Sequence, residues 1–146
     1  MNLLASLLLV AGLAHGFGQN RLITRDLDWR VRSTDHFDVY YYRESAPLVE
    51  ESAAILEEAF RDLTRDMDIL VSTAPRVKGE PADFHWERKP FFLYASPNDF
   101  LESTIVEVGE GTGGVTEPFK DRFMVFNDGS RKWLKEVIKH EFAHVI

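Results

Sequence analysis

The segment from Ser130 to Ile146 constrains the fold of this chain more than any other. It contains neither Gly nor Pro, and Ser130 is a favourable N-cap for a helix. Apolar side chains recur along it at the spacing of one helical face. These side chains are Leu134, Val137, Ile138, Phe142 and Val145. The pattern predicts an amphipathic helix that buries this stripe in a hydrophobic core.

The same segment carries the pattern H-E-x-x-H at His140, Glu141 and His144. Helical residues four apart share a face, so both histidines can direct a ring nitrogen at one point that suits a zinc ion. Glu141, beside the first histidine, is placed to take a proton from a metal-activated water that attacks a carbonyl. The alternative is two histidines and a glutamate on the solvated edge of a helix. We favour the metal site.

Length and composition limit the possible functions. A chain of 146 residues is long enough for one domain with a sizeable core. Its formal net charge is −7 and it has no basic run, so nucleic-acid binding is not expected. It has no cysteine, which excludes disulfides, thiolate zinc sites and a cysteine nucleophile.

The N-terminal end predicts export. The apolar run from Leu3 to Ala14 is shorter than the roughly 20 residues of a membrane span and suits the core of a signal peptide. We expect a signal peptide over residues 1–18, a lead-in segment over 19–32 and a domain over 33–146. The mature protein would be periplasmic or extracellular, with no stable membrane span. A buried first helix and a retained short anchor are the alternatives.

The middle of the chain contains several strand and helix patterns. The pattern predicts strands at 35–42, 91–94 and 122–126, a long helix from about Ser45 to Met67, and a short helix ending near Leu101. His36, at the start of the first strand, is interpreted as a structural residue held by a hydrogen bond. His85 lies in a loop without a partner at helical or strand spacing, and a ligand role for it is not favoured.

A glycine-rich loop precedes the strand at 122–126. Gly109, Gly111 and Gly114 match G-x-G-x-x-G, but Pro118 and a strand follow where a dinucleotide fold needs a helix N-terminus. Dinucleotide binding is therefore not expected. The loop is better placed to line a cleft, and its candidate substrate-binding residues are Gly113, Gly114, Val115 and Thr116. We expect the strand Phe123–Phe126 to hold an extended peptide by a free edge.

Four segments together resemble the peptidase MA-like domain of exported bacterial proteins, a domain that often precedes a Tol-type WD40-like β-propeller. They are the segments 33–42, 98–100, 109–118 and 140–144. The resemblance implies an α+β, zincin-like fold in which a small mixed sheet packs on the long helix and on the H-E-x-x-H helix. It further implies a gluzincin site that binds Zn through His140 and His144, with Glu141 as general base.

The resemblance also implies a third zinc ligand, a Glu on a helix beyond His144. A catalytic zinc has three protein ligands and an open position, so we expect residues 33–146 to be the N-terminal part of the domain. Alone, they would bind zinc weakly and hydrolyse little. The expected function is peptide-bond hydrolysis on a peptide or protein substrate. Two alternatives stay open: a non-catalytic interaction module beside a β-propeller, and a structural protein with a chance motif.

Overall fold

The computed structural model describes residues 26–69, 86–103 and 112–146. The expected signal peptide, His85, Gly109 and Gly111 lie outside these residues. In chain order the described elements are β1 (Arg30–Ser33), β2 (Phe37–Tyr41), α1 (Val49–Asp66), β3 (Lys89–Tyr94), α2 (Pro97–Ser103), β4 (Gly114–Glu117), β5 (Arg122–Phe126) and α3 (Arg131–Ala143). Short 3-10 helices at Ala46–Leu48 and Pro118–Lys120 lead into α1 and join β4 to β5.

The five strands form one mixed sheet in the order β1-β2-β3-β5-β4. β2, β3 and β5 are parallel, whereas β1 and β4 pair antiparallel with their neighbours at the two edges. The predicted α+β class, with a small mixed sheet, a long helix and the motif helix, is confirmed. Strand β1 lies largely within the segment expected to be a lead-in, so that segment supplies one edge of the sheet.

The main hydrophobic core lies between the sheet and the helices α1 and α3. Side chains that alternate along β2, β3 and β5 point into it, as the two-residue period of a strand requires. Phe142 of α3 is fully buried, and its ring centroid lies 5.2 Å from that of Phe37 in β2. Burial of one such side chain stabilises the fold by about 1.5–3 kcal/mol. The aromatic centre of this core therefore fixes α3 on the sheet.

A second apolar cluster covers the opposite face of the sheet. It contains Tyr42, Tyr94, Phe100 of α2 and Met124 of β5. The Tyr42 hydroxyl donates to Asp99 at 2.5 Å and accepts from the Ala95 N–H at 2.7 Å. The hydroxyl is thus satisfied although the side chain is buried, and α2 is tied to the ends of β2 and β3.

Helix α1 follows the predicted stripe except at its end. Ile55, Leu56, Ala59 and Phe60 are buried as predicted. Met67, predicted to extend the stripe, is 53% exposed. The helix ends at Asp66, and a turn with positive φ at Asp68 follows. The helical period therefore stops before Met67 can reach the core.

His36 is held within the fold, which confirms its interpretation as a structural residue. Its ring stacks on Phe60 with centroids 3.6 Å apart, and its Nδ1 lies 2.6 Å from Glu57 Oε2. Its backbone N–H donates to Glu57 Oε1 at 3.0 Å. Burial raises the pKa of Glu57, but hydrogen bonds from Thr34 and His36 outweigh it and hold that pKa below its usual range.

Candidate metal and catalytic site

Helix α3 begins as its sequence predicts. The Ser130 side chain accepts a hydrogen bond from the Trp133 N–H at 3.2 Å, which makes Ser130 the N-cap. The turn from β5 into the helix contains Gly129 at φ 97°, a conformation that favours glycine. Leu134, Ile138 and Phe142 are fully buried, so the predicted apolar stripe is confirmed.

Ion pairs with α1 hold the other side of α3. Glu58 accepts hydrogen bonds from Lys135 and Lys139, each at 3.0 Å, and Arg131 pairs with Glu51. Hydrogen bonds from the two lysines hold the pKa of Glu58 below its usual range. The hydrogen bond to Glu58 likewise raises the pKa of Lys139. Helix α3 is therefore fixed along its length before the motif is reached.

The two motif histidines meet at the C-terminal end of α3. His140 and His144 are both exposed, and their Nε2 atoms lie 3.3 Å apart. Two imidazole nitrogens bound at about 2.0–2.1 Å to one tetrahedral zinc would be about 3.3–3.4 Å apart. The separation thus fits a shared zinc ion. It also fits a direct N–H···N hydrogen bond when one ring carries its proton on Nε2.

The described residues supply no third ligand. Within 26–69, 86–103 and 112–146, no group of three or more His, Cys, Asp or Glu side chains is arranged to hold a metal ion. Within the part of the chain that the structure describes, the two histidines are therefore not joined by a third side chain of a ligand type.

Glu141 occupies a different environment from the two histidines. Only 7% of its surface is exposed. The Thr116 hydroxyl of β4 lies 2.8 Å from Glu141 Oε2 and 3.0 Å from the Glu141 backbone carbonyl oxygen. Among the described residues, no Lys, Arg or His forms an ion pair with this carboxylate.

The two glycines predicted to bind substrate lie against α3. A Cβ on Gly113 would lie 2.5 Å from Trp133 Cζ2, and one on Gly114 would lie 2.7 Å from Glu141 Cγ and from the Met124 backbone oxygen. Distances this short are not tolerated between real atoms. Gly114 therefore requires glycine, because a Cβ there would meet the Met124 backbone. At Gly113 the nearest atoms belong to the Trp133 and Val137 side chains, which would have to shift to admit a Cβ. The sequence alone did not reveal this close approach to the motif helix.

Strand β4, which was predicted as part of a loop, is the edge of the sheet nearest the motif helix. It pairs with β5 alone among the described strands. The expectation that Phe123–Phe126 offers a free edge is wrong, because β5 lies between β3 and β4 and pairs with both. Val115 faces the second cluster, on the side of the sheet away from α3.

The register of β4 shows which of its backbone groups face outward. The Phe126 N–H donates to the Gly113 carbonyl at 3.4 Å, which makes these opposite residues a hydrogen-bonded pair. Pairs alternate along an antiparallel ladder. Gly114, opposite Val125, and Thr116, opposite Phe123, are therefore non-hydrogen-bonded pairs. Their N–H and C=O groups point away from β5, to the side of β4 on which no described strand lies, called here its open side.

Charged side chains form ion pairs at the C-terminal end of β4. Glu117 is 8% exposed and pairs with Arg122, its cross-strand neighbour, and with Lys120. Burial raises the pKa of Glu117, yet hydrogen bonds from Lys120 and Arg122 hold it below its usual range. The cluster fixes the β4–β5 turn, and it was not identified from the sequence because the strand itself was not.

Comparison with protein-family models, with curated proteins and with solved structures gives no match to this chain. In the described segments, no helix is both long enough and apolar enough to cross a membrane.

Proposed function

We propose that this chain carries the zinc-binding and general-base elements of an exported, zincin-like metallopeptidase of the gluzincin type. The 3.3 Å separation of the His140 and His144 Nε2 atoms is the observation that carries the proposal. It is supported by a buried carboxylate on the next residue and by a sheet edge beside the same helix.

In the proposed reaction His140 and His144 hold the metal, together with a Glu on a helix after His144. Bound zinc would polarise the scissile carbonyl and make a water molecule acidic. Glu141 would accept a proton from that water as its oxygen attacks the carbonyl carbon. Glu141 would then give the proton to the amide nitrogen as the C–N bond breaks, leaving a carboxylic acid and an amine.

The open side of β4 would bind the substrate. Gly114 and Thr116 offer outward N–H and C=O groups, so an extended peptide can add as a further strand. This places the peptide on the strand whose Thr116 contacts Glu141. The proposed substrate class is therefore a peptide or protein segment in extended conformation, and a C-terminal β-propeller is proposed as the neighbouring domain.

Glu141→Gln in the full-length protein tests this function. We expect kcat for peptide hydrolysis to fall by about 100- to 10,000-fold, because the general base is lost. Zinc affinity, measured by competition with a chromophoric chelator, should stay within about twofold of the wild type because both histidines are retained.

The matched control is Glu136→Gln, which removes the same charge from an exposed position on α3. It should leave kcat and zinc affinity unchanged. Equal activity in Glu141→Gln and Glu136→Gln would overturn the proposed mechanism. A zinc-bound wild type that hydrolyses no peptide would favour a non-catalytic interaction module instead.

A further inference from the structure

We infer that Thr116 is a positioning residue: its hydroxyl fixes the Glu141 carboxylate while its backbone faces the substrate side of β4. The inference rests on the proposed hydrolysis at Glu141. It goes beyond that proposal because neither the motif nor its spacing assigns a partner to the base.

The contact is specific to the hydroxyl of Thr116. Its oxygen lies 2.8 Å from Oε2 and 3.0 Å from the backbone oxygen of Glu141. One O–H donates to one acceptor at full strength, and the charged carboxylate is the stronger acceptor. The backbone oxygen already accepts the His144 N–H at 3.1 Å. The Thr116 proton is therefore directed to Oε2, which leaves Oε1 for the reaction.

Gly114 makes this position of Glu141 possible. Any side chain at Gly114 would occupy the space of Glu141 Cγ, since a Cβ there would lie only 2.7 Å away. The aliphatic part of the Glu141 side chain packs against Gly114. Its carboxylate accepts the hydrogen bond from Thr116, which lies two residues along on the same face of β4. The edge strand thus holds both ends of the side chain.

The arrangement gives Thr116 two roles that separate experimentally. Its N–H and C=O point to the open side of β4, in reach of a peptide backbone, while its side chain points to α3. Replacing the side chain keeps the backbone groups. Loss of the hydroxyl should therefore impair the chemical step and leave substrate binding intact.

Thr116→Val, which keeps the shape and removes the hydroxyl, is the test. We expect kcat to fall by about 10- to 100-fold, as for a misplaced catalytic group, with KM within about twofold. Thr116→Ser should restore most of kcat because it retains the hydroxyl. Thr64→Val is the matched control: it removes a hydroxyl that bonds the Phe60 carbonyl within α1, far from β4 along the chain.

A second readout does not depend on turnover. In zinc-free protein, NMR couplings between the Hα and Hβ protons of Glu141 should report one side-chain rotamer in the wild type, Thr116→Ser and Thr64→Val. They should report averaged rotamers in Thr116→Val. The same fixed rotamer in Thr116→Val and wild type would overturn the inference, as would wild-type kcat in an active Thr116→Val enzyme.

The two readouts separate this inference from the proposed function. If the wild type hydrolyses no peptide but Thr116→Val alone frees the Glu141 side chain, the positioning contact stands and the peptidase proposal fails. If Glu141→Gln abolishes hydrolysis but Thr116→Val changes neither kcat nor the couplings, the peptidase proposal stands and the role of Thr116 is rejected.

Discussion

Two clusters of the described residues are built from the same residue types but differ in how their polar groups are paired. In the first, His36 and Glu57 are bonded to each other at 2.6 Å and packed under Phe60. In the second, His140 and His144 turn exposed nitrogens toward each other, while Glu141 is buried against a neutral hydroxyl.

The difference lies in where the polar groups find partners. Glu57 accepts from both the ring and the backbone of His36, so that cluster satisfies itself and stabilises the junction of β2 and α1. The motif histidines aim at a common point outside the apolar core. His36 and Glu57 are each other's partners within the fold, whereas the Nε2 atoms of His140 and His144 face each other at the exposed end of α3. In the proposed function this second pair binds a metal ion.

The largest expected difference between the two clusters is in zinc affinity, and it is tested by removing one histidine from each cluster. His140→Ala should raise the zinc dissociation constant by more than about 100-fold, above the loss typical of residues that only support a ligand. His36→Gln should leave zinc affinity unchanged within about twofold. Competition with a chromophoric chelator measures both. Equal zinc affinity in the two variants would show that the His pair is not the metal site.

The free energy of unfolding, unlike zinc affinity, should depend on the cluster of His36 and Glu57. Glu57→Ala should lower the free energy of unfolding by about 2 kcal/mol, because the His36 N–H and ring lose a charged acceptor in a part-buried site. Glu50→Ala is the control on the same helix; it loses only an exposed pair with Arg32, expected to contribute about 0–1 kcal/mol. Urea unfolding measures both. Equal losses of unfolding free energy in Glu57→Ala and Glu50→Ala would show that the contact between Glu57 and His36 contributes no more than an exposed ion pair.

The smallest expected effect is a pH dependence of the first cluster. The pKa of Glu57 is lowered in the folded state, so its contribution is complete above the unfolded pKa of about 4.3 and is lost as pH falls through the folded pKa. The stability difference between wild type and Glu57→Gln should therefore shrink as the pH falls below about 4. Urea unfolding at a series of pH values measures it. A difference that grew as the pH fell below about 4 would contradict the lowered pKa of Glu57.

Local features were predicted well where one element decides them. The bounds of β5 and the start of α3 follow from Arg122–Phe126 and from the N-cap Ser130, since both depend on side-chain period and capping. β4 was not predicted as a strand. The segment Gly114–Glu117 has only four residues and begins with glycine, so its intrinsic strand propensity is weak. It forms a strand because it pairs with β5.

The sequence by itself determined that a helix presents His140 and His144 one turn apart, because helical geometry is local. It also determined where the strand at Arg122–Phe126 lies, because the side-chain pattern of a strand is local as well. Only the tertiary structure decided that β4, and not β5, is the edge strand, that Gly114 makes room for Glu141, and that Thr116 holds its carboxylate. These contacts join residues far apart in the chain, and strand order and helix seating depend on how the whole core packs, which no local pattern specifies.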